Sequence, residues 1–391
     1  SHVNHIFDLF YGFVYHITMV FQRKQSILSS LTTHRVLVIY GPRRVGKTTL
    51  LNTYLESIRS EQAVLSVVGD DIRVRELFAS ENRDAILDFA QPYDTIAIDE
   101  AQQVPSIGLG AKMLIDAFPE KQIILTGSSS FDLSSRIGEP LTGRHFTLTL
   151  LPLAQSEMQA TRFELSGTLE QFLRYGSYPE VLIAPDSTSR ERILNELVSS
   201  YLYKDVLALD KIKSPDLLRD IARMIAFQIG SEVSLNEIAV SVKTDVKTVA
   251  RYLDLLEKMF VIRKVRGFSR NLRNEITKKA KYYFLDLGVR NAVINRFAPL
   301  SNRDDIGALW ENFVFMELAK QSGFADTADN YFFWRTHTGV EIDIIRESQG
   351  MIEAIECKWN KDARIPKTWR DAYPDSTFVT INQNNYLDHF A

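Results

Sequence analysis

The sequence predicts an α/β protein with a parallel sheet in its first part and a smaller α/β unit in its last part. Two observations predict this fold class. Short apolar strands alternate with helical stretches from Arg35 to Leu151, which is typical of a parallel sheet buried on both faces. A second group of strand-like segments follows a predicted helix near the C-terminus.

The elements of the first sheet can be placed from their apolar content. Short helical connections between such strands favour parallel pairing, because a crossover is needed to return to the same edge. The predicted strands are Arg35–Tyr40, Ala63–Val68, Thr95–Ile98, Gln122–Thr126 and His145–Leu150. The predicted helices are Lys47–Ser60, Asp71–Ala79, Asn82–Ala90 and Ile107–Ala117.

A glycine-bracketed loop lies between the first of these strands and the first helix. This order of strand, loop and helix is that of the P-loop, in which backbone N–H groups point at phosphate oxygens. Glycines let the chain curl, and the following helix directs its positive end at the phosphates. We predict a nucleotide site formed by Gly41, Pro42, Arg43, Arg44, Val45, Gly46, Lys47, Thr48 and Thr49.

The expected ligands of this loop are ATP and Mg²⁺. Lys47 supplies a full positive charge at the outer phosphates, and it is therefore also a candidate catalytic residue. Thr48 offers its hydroxyl to the magnesium ion. At least one of Arg43 and Arg44 is expected to face phosphate.

Two acidic residues, Asp99 and Glu100, end the strand that begins at Thr95. In P-loop enzymes the first acid at this position holds the magnesium shell, and an adjacent acid polarises the attacking water. We therefore assign Asp99 to the nucleotide and metal site and Glu100 to catalysis. The alternative is a strand that merely ends in polar surface residues.

Small hydroxyl residues follow the next buried strand. Ser128 or Ser129 could contact the terminal phosphate or the water, and sequence alone does not separate the two; an ordinary polar turn is the alternative. Arg144 precedes the last core strand. It could sense the third phosphate or act as a finger to a neighbouring subunit, and an exposed, ion-paired arginine is equally compatible with the sequence.

The chain then becomes mostly helical from Ser156 to Ile229. Ser234, with Glu237 three residues on, predicts a capped helix that starts a compact helix pair. Two strands follow at Val261–Val265 and Lys281–Leu285, so this region has the outline of a winged helix-turn-helix. Residues 257–281 contain nine basic and two acidic side chains, a local excess of seven positive charges. Such a wing suits a DNA backbone, or equally an acidic patch on another domain or subunit.

The C-terminal strand candidates carry acids at alternating positions. They are Tyr331–Trp334, Glu341–Arg346, Met351–Lys358 and Thr377–Ile381. Residues two apart on a strand share a face, so Glu341 points with Asp343, and Glu356 points with Lys358, while Cys357 faces the other way.

Two carboxylates and a lysine on adjacent strands are the arrangement of metal-dependent nucleases. We predict that Asp343 and Glu356 bind a divalent metal, that Glu311 lies nearby on the preceding helix, and that Lys358 orients the attacking water. Solvated edge charges or a plain ion-pair cluster are the alternative.

Composition bounds these interpretations. The 391 residues suggest two or three domains, and 45% hydrophobic with 24% charged residues is typical of a folded protein. The net charge of -3 gives no overall sign of a nucleic-acid binder. The one cysteine, Cys357, suits a reducing cytoplasm. The apolar segment Ile6–Phe21 is short and polar for a membrane span, and we interpret it as a docking helix.

These features together resemble a family of bacterial and archaeal P-loop ATPases that is loosely grouped with the AAA+ superfamily. The resemblance is carried by Gly41–Leu51, Thr95–Val104, Ile123–Ser130, Gly143–Glu157, Tyr175–Pro179, Gly339–Asp343 and Ile355–Lys358. It implies an ATPase core, a helical lid, a winged helix and a C-terminal domain similar to the restriction-endonuclease fold. It also implies that Lys47 and Asp99 bind nucleotide and magnesium, that Glu100 is the catalytic acid, and that Glu311, Asp343, Glu356 and Lys358 match the nuclease-like site.

The predicted domains are an N-terminal helical segment (1–30), the P-loop core (31–155), the helical lid region (156–230), the winged helix (231–300) and the nuclease-like domain (301–391). One interpretation is an ATPase whose nucleotide state controls a DNA-binding and metal-dependent nuclease module. The other is an ATP-driven switch whose C-terminal parts bind DNA or a protein partner without cleaving. Either protein could form a homo-oligomer, and a cytoplasmic location is expected for both.

Overall fold

The computed structural model describes residues 21–128, 140–200, 214–269, 279–325 and 327–390. Its first sheet has five parallel strands in the order β2-β3-β4-β1-β5. The predicted α/β fold class is therefore confirmed, and the predicted ends of these strands agree with the structure to about one residue. The strands are β1 (Val36–Tyr40), β2 (Val64–Val68), β3 (Thr95–Asp99), β4 (Gln122–Gly127) and β5 (His145–Thr149).

Helices cover this sheet on both faces, as its apolar strands require. Alternate residues of β1 belong to two different hydrophobic clusters: Val36 and Val38 pack on one side, and Leu37 and Ile39 pack on the other. All four side chains are fully buried, which explains why β1 is a continuous apolar run in the sequence. The helices are α1 (Ile27–Ser30), α2 (Lys47–Ile58), α3 (Ile72–Ala79), α4 (Arg83–Ala90) and α5 (Ile107–Ala117).

A helical region follows the first sheet. Ser234 caps one of its helices as predicted, since Ser234 Oγ accepts the N–H of Glu237 at 3.4 Å. The helices are α6 (Arg162–Tyr175), α7 (Pro179–Ile183), α8 (Ser187–Leu197), α9 (Pro215–Phe227), α10 (Leu235–Ser241), α11 (Val246–Lys258), α12 (Leu287–Val293) and α13 (Ile306–Ala325). Two short helices, α14 (Lys367–Ala372) and α15 (Tyr386–Phe390), come later in the chain.

The second sheet has six strands in the order β11-β10-β9-β8-β6-β7 and mixes parallel with antiparallel pairs. All four predicted C-terminal strands occur in it. The strands are β6 (Ile262–Gly267), β7 (Ala280–Phe284), β8 (Asn330–Arg335), β9 (Glu341–Ser348), β10 (Met351–Cys357) and β11 (Thr377–Ile381).

The hairpin of the predicted wing is part of this second sheet. β6 pairs with β7 in antiparallel fashion and with β8 in parallel, through Arg266 opposite Phe332. The predicted boundary at residue 300 therefore divides strands that hydrogen-bond in one sheet. One hydrophobic core also runs from the helical region into the C-terminal strands, since Leu173, Leu256 and Ile355 belong to the same cluster. The division of the chain into domains remains a prediction.

None of the helices in the described part of the chain combines the length and the apolar character that a membrane span requires.

Candidate nucleotide site and C-terminal carboxylate cluster

The P-loop lies at the carboxyl edge of the first sheet, between β1 and α2. Gly46 precedes α2 with φ 97°, a backbone conformation that side chains disfavour. Gly41 lies against the end of β5, where a Cβ atom would stand 2.1 Å from the carbonyl oxygen of Leu150. Both glycines are thus required by the backbone path, as predicted. Because Gly46 has no side chain to cap α2, the first N–H groups of that helix face the loop.

Lys47 is held inside the loop. Its Nζ donates to the carbonyl oxygens of Gly41 at 2.9 Å and Pro42 at 2.8 Å, and the side chain is buried. Burial lowers the pKa of Lys47 to about 8, although the nearby Glu100 and Asp99 charges act in the opposite direction. The oxygens that Lys47 Nζ contacts are uncharged carbonyls, and a phosphate group at the loop would supply a negative charge beside this ammonium.

Thr48 and Asp99 form the predicted pair of hard oxygen groups. Thr48 Oγ1 donates to Asp99 Oδ2 at 2.7 Å, and Asp99 Oδ1 accepts from Thr126 Oγ1 and from the Glu100 N–H. A hydroxyl and a carboxylate in contact are donors of the kind that Mg²⁺ prefers, so the residues present fit that ion. Thr126 was not singled out from the sequence. It is the second-last residue of β4, the neighbour of β3, and only the strand order reveals that Thr126 lies near Asp99.

Glu100 follows Asp99 in a left-handed backbone conformation with φ 51°. Its carboxylate accepts a hydrogen bond from Gln102 Nε2, and the same amide donates to Ser128 Oγ at 3.3 Å. The structure thus brings together Glu100 and Ser128 through Gln102, a residue that the sequence did not suggest. Ser129 lies outside the described residues.

The two loop arginines, Arg43 and Arg44, have different surroundings. Arg44 pairs with Glu196 of α8 at 2.7 Å and with Glu180 of α7 at 3.4 Å, and it therefore links the P-loop to the helical region. The side-chain hydrogen bond from Glu196 raises the pKa of Arg44. Arg43 is exposed. Both side chains are exposed, and the expectation that at least one of them faces phosphate stays a prediction.

Arg144 lies at the opposite edge of the sheet from the P-loop. It precedes β5, and the parallel register sets His145 beside Val36, the first residue of β1. Five residues of strand, at about 3.3 Å each, separate this level from the loop. The prediction that Arg144 senses phosphate in its own subunit is therefore wrong. Its guanidinium forms an exposed ion pair with Asp116 at 2.8 Å, which is the alternative that the sequence left open.

The C-terminal acids meet on the face of the second sheet that packs against α13, and a lysine lies among them. Lys281 Nζ is 2.9 Å from Glu311 Oε1 and 2.6 Å from Glu341 Oε1, and Tyr283 also donates to Glu311 Oε1 at 2.5 Å. Burial disfavours the charge on Lys281, but these carboxylates outweigh burial and raise its pKa. Burial raises the pKa of Glu311 to about 7. We call Lys281, Glu311 and Glu341 the buried lysine cluster.

Asp343, Glu356 and Lys358 lie beside this cluster. β9 and β10 are antiparallel, and their paired register ends with Ile344 opposite Ile355. Just beyond this pair, Asp343 Oδ2 accepts the backbone N–H of Cys357 at 2.8 Å. Lys358 Nζ is 2.6 Å from Glu356 Oε1 and 3.6 Å from Asp343 Oδ2. Burial, followed by the Asp343 charge, raises the pKa of Glu356. Cys357 is buried and belongs to the same hydrophobic core cluster as Ile355.

The prediction that Glu311 lies with Asp343 and Glu356 around one metal ion is wrong, because Lys281 binds the Glu311 carboxylate. Within the described ranges, no three His, Cys, Asp or Glu side chains stand together in a way that could hold a metal ion. Glu311 was predicted to lie near the metal, but Lys281 and Tyr283 engage its carboxylate. Only Asp343 and Glu356 remain as a ligand pair. No local pattern indicated that Lys281 binds these acids, and Lys281 was counted with the basic wing.

The basic wing is also smaller than the charge count implied. Lys281 is buried in its cluster, Lys258 pairs with Asp254 at 2.8 Å, and Arg263 lies within 5.8 Å of the ring centres of Phe315 and Tyr331. The exposed basic residues of the described part of the wing are Lys258, Lys264, Arg266 and Lys279, of which Lys258 is ion-paired. Arg270, Arg273 and Lys278 lie outside the described residues.

Replacement of Lys281 by alanine is expected to destabilise the protein by about 3–5 kcal/mol, because Glu311 and the partly buried Glu341 lose their buried cationic partner. Chemical denaturation would measure this change in the free energy of unfolding. Lys279→Ala, two residues earlier and exposed, is the matched control and should change it by less than about 0.5 kcal/mol. Equal stability of the two variants would contradict the role given to the buried lysine cluster.

Comparison with protein families agrees with the geometry of the first sheet. A model described as "AAA domain" matches residues 33–159. This part of the chain is thus similar to an AAA-type ATPase domain, which supports nucleotide binding and hydrolysis. Residues 166–300 match "Domain of unknown function (DUF8612)", and residues 306–386 match "Domain of unknown function (DUF4143)".

Curated relatives are distant but cover most of the chain. An uncharacterized protein of Haemophilus influenzae is 25% identical and is matched over 77% of this chain and 78% of its own length. An uncharacterized protein of Methanocaldococcus jannaschii is 24% identical over 90% of this chain and 82% of its own length. An uncharacterized protein of Mycobacterium tuberculosis is 26% identical and is matched over 87% of this chain and 74% of its own length.

Solved structures of DnaA also match. AMPPCP-bound DnaA from Aquifex aeolicus is 18% identical with a TM-score of 0.29, and the match covers 58% of this chain and 82% of that one. Domain III of the replication initiation protein DnaA from Thermotoga maritima is 16% identical with a TM-score of 0.26, over 56% and 84%.

Proposed function

We propose that this protein binds and hydrolyses ATP and that its nucleotide state controls the C-terminal unit. The contact between Thr48 of the P-loop and Asp99 of β3 carries this proposal, because it joins the phosphate loop to the acidic strand end. Glu100 follows directly, so a candidate water-positioning group stands beside the candidate metal pair. The match of residues 33–159 to an AAA domain supports the same function.

Each residue has a defined task in this proposal. The N–H groups of the loop and of α2 bind the phosphates, and Lys47 offsets their charge. Thr48 and Asp99 hold Mg²⁺, which when bound neutralises charge on the transferred phosphoryl group. Glu100 accepts a hydrogen bond from the attacking water and orients it. Gln102 holds the Glu100 carboxylate and Ser128 in one hydrogen-bonded chain.

Contacts between the core and the rest of the chain supply a route for control. Arg44 of the P-loop pairs with Glu180 and Glu196, so a change in the loop acts directly on α7 and α8. A second, buried contact joins the residues after β5 to α13. Glu317 of α13 accepts the backbone N–H of Gln155 at 2.8 Å and pairs with Lys320, whose Nζ donates to the Leu153 carbonyl. These contacts connect the end of the core to the helix that carries Glu311.

We further propose that the exposed part of the wing binds DNA through its phosphates. Neutralising Arg266, Arg270 and Arg273 together is expected to weaken DNA binding similarly for different sequences. It should flatten the dependence of log K on log salt by roughly one unit per lost phosphate contact. Fluorescence anisotropy with two unrelated duplexes across a salt series would measure both quantities.

A matched triple variant at exposed basic residues away from the wing, Arg59, Arg75 and Arg83, controls for net charge. Equal loss of affinity in the two triple variants, or unchanged affinity in the wing variant, would contradict the assignment and favour a protein interface for the wing.

Metal-dependent cleavage is the second candidate function, and one observation favours it. Within the part of the chain that the structure describes, Glu356 Oε2 is buried and has no hydrogen-bond partner, and the Asp343 charge helps to raise the pKa of this carboxyl after burial. A buried carboxylate oxygen without a partner is costly, and a cation held with Asp343 would satisfy it. Lys358 would then lie beside the bound water.

We expect Mn²⁺ to bind the wild-type C-terminal site and Asp343→Ala to lose that binding. Isothermal titration of Mn²⁺ without nucleotide would measure it, with Lys47→Ala and Asp99→Asn together in the background so that the P-loop takes up no metal. Asp375→Ala is the control, since Asp375 is exposed and precedes β11. If the Asp343→Ala and Asp375→Ala variants bind Mn²⁺ equally, or if the protein with Asp343 unchanged binds none, the pair formed by Asp343 and Glu356 has only a structural role.

One experiment separates the two functions of the C-terminal unit. Plasmid and linear DNA would be incubated with Mg²⁺ or Mn²⁺, with and without ATP, beside the Asp343→Ala variant. Cleavage that Asp343→Ala abolishes would support the nuclease, whereas ATP-dependent binding without cleavage would support the switch. If the protein neither binds nor cleaves DNA in any nucleotide state, DNA is excluded as its partner.

A further inference from the structure

A cavity of about 230 Å³ lies between the AAA-type core and the C-terminal unit. One wall comes from the segment before α1, another from the residues that follow β5, and the third from the end of α13 with β6 and β8. Its polar lining includes Arg23, Gln25, Arg263 and Asp329. None of these residues has a part in the nucleotide site or in the carboxylate cluster.

Several polar atoms of this lining are buried and lack a partner. Arg23 has a side chain only 7% exposed; its Nη2 donates to the Leu151 carbonyl, while Nη1 has no hydrogen-bond partner. Gln25 donates its Nε2 to the Thr149 carbonyl, and its Oε1 is unpartnered. Asp329 Oδ2 accepts from Ser322, and its Oδ1 is unpartnered. Buried polar groups are nearly always satisfied, yet within the described residues two donors, Arg23 Nε and Nη1, and two acceptors of this lining have no hydrogen-bond partner.

The cationic groups differ in how well the protein compensates them. Glu157 lies 3.3 Å from Arg23 Nε, but its oxygens also accept the N–H groups of Lys24 and Ala154. Arg263 stacks on Phe315 and Tyr331, and within the described residues it forms no ion pair. Burial lowers the pKa of Arg263, as expected for a charge that is poorly compensated.

Lys320, in contrast, has no donor to spare. Its Nζ contacts the Leu153 carbonyl, Ser177 Oγ and Glu317 Oε1, which takes all three of its protons. Arg23 and Arg263 are therefore the two cations that can still receive an anion from the cavity, against the single carboxylate of Asp329.

We propose that this cavity binds a small organic anion that also carries hydroxyl or amino groups. The anionic group would accept hydrogen bonds from Arg23 and Arg263, where guanidinium groups favour planar phosphate or carboxylate oxygens. Its donor groups would satisfy Gln25 Oε1 and Asp329 Oδ1. Water alone could bridge single polar atoms, but it would leave the charge of Arg263 uncompensated.

The cavity is separate from the nucleotide loop but adjacent to it. Thr149 and Leu151 line the cavity, whereas the carbonyl of Leu150 between them faces Gly41 of the P-loop. A binding assay must therefore distinguish the two anion sites, and a variant at Lys47 makes that possible.

Glycerol 3-phosphate and inorganic phosphate are the probes, titrated calorimetrically into the full chain that carries Lys47→Ala. We expect glycerol 3-phosphate to bind and to bind more tightly than phosphate, because its carbon-bound hydroxyls can donate to Gln25 and Asp329 while its phosphate contacts the two arginines, whereas inorganic phosphate has only the protons on its own oxygens. Arg263→Met, which keeps the packing on Phe315 and Tyr331, and Arg23→Gln should each weaken binding at least tenfold. Arg83→Ala, an exposed arginine of α4, should leave it unchanged.

Failure of both probes to bind the Lys47→Ala chain would overturn the proposal, as would unchanged affinity in Arg263→Met. Equal affinity for the two probes would overturn the roles of Gln25 and Asp329. Thermal unfolding of each variant without ligand shows whether it is folded. If Arg23→Gln is unfolded, Arg263→Met decides the test. None of these results depends on ATP hydrolysis, so the proposal can fail while the proposed function stands.

Discussion

Lys47→Ala is expected to abolish tight ATP binding, with a loss of affinity of about 100-fold or more, and to reduce hydrolysis to background. The ammonium is buried in the loop and held by two carbonyl oxygens, so it is already in place for the phosphates. Truncating one partner of a buried charge pair costs about 2–5 kcal/mol in binding. Titration with a fluorescent ATP analogue and a phosphate-release assay would measure the two effects.

Lys361→Ala is the matched control for this variant, because Lys361 is exposed and follows β10 in the second sheet. Its affinity for ATP should equal that of the wild type. ATP binding by Lys47→Ala within threefold of wild type would show that nucleotide does not occupy the P-loop in the expected way.

Glu100→Gln is expected to retain ATP binding and to slow hydrolysis by about 100-fold or more, in the range of a lost general base. The amide keeps the size of the side chain but cannot accept the proton or hydrogen bond of the attacking water as a carboxylate does. Gln102, which donates to Glu100, can still contact the amide oxygen. Single-turnover hydrolysis with saturating ATP and Mg²⁺ isolates the chemical step.

The control for the second variant is Glu120→Gln, an exposed glutamate in the turn before β4. That turn lies at the amino edge of the sheet, far from the loop. Full hydrolysis by Glu100→Gln would remove the catalytic assignment, and loss of ATP binding would show that Glu100 has a structural task instead.

Much of the first sheet could be predicted because its signals are local. The P-loop is recognised from consecutive residues, and buried parallel strands are continuous apolar runs. Asp99 could be placed for the same reason, since a strand end of a parallel sheet faces the edge that carries the loop. The contact of Thr48 with Asp99 therefore follows from the pattern, whereas the contact with Thr126 depends on which strand lies next to β3.

The C-terminal unit was harder to predict because its contacts join distant residues. Strand alternation predicted that Asp343 and Glu356 face one side, and the antiparallel register of β9 and β10 agrees. Nothing local to Lys281 indicates that it pairs with Glu311 and Glu341, which lie 30 and 60 positions away. A count of charges along the chain also cannot separate Arg263, which packs on aromatic rings, from the exposed Arg266.

Arg144 shows an error that the sequence itself could have prevented. The residue begins a strand, and in a parallel sheet the amino ends of strands lie opposite the edge that binds phosphate. Position before the strand was therefore already an argument against a phosphate contact in the same subunit.

In the proposed function, ATP bound at the P-loop changes the conformation of the C-terminal unit. Hydrogen exchange of the Glu100→Gln protein, with and without saturating Mg²⁺-ATP, tests it most directly, because that variant should hold ATP without turnover. We expect altered protection in the loop, in α8 near Glu196, in α13 and in the strands β9 and β10. Changes confined to residues 41–49 and to the helix that follows them would contradict the claim.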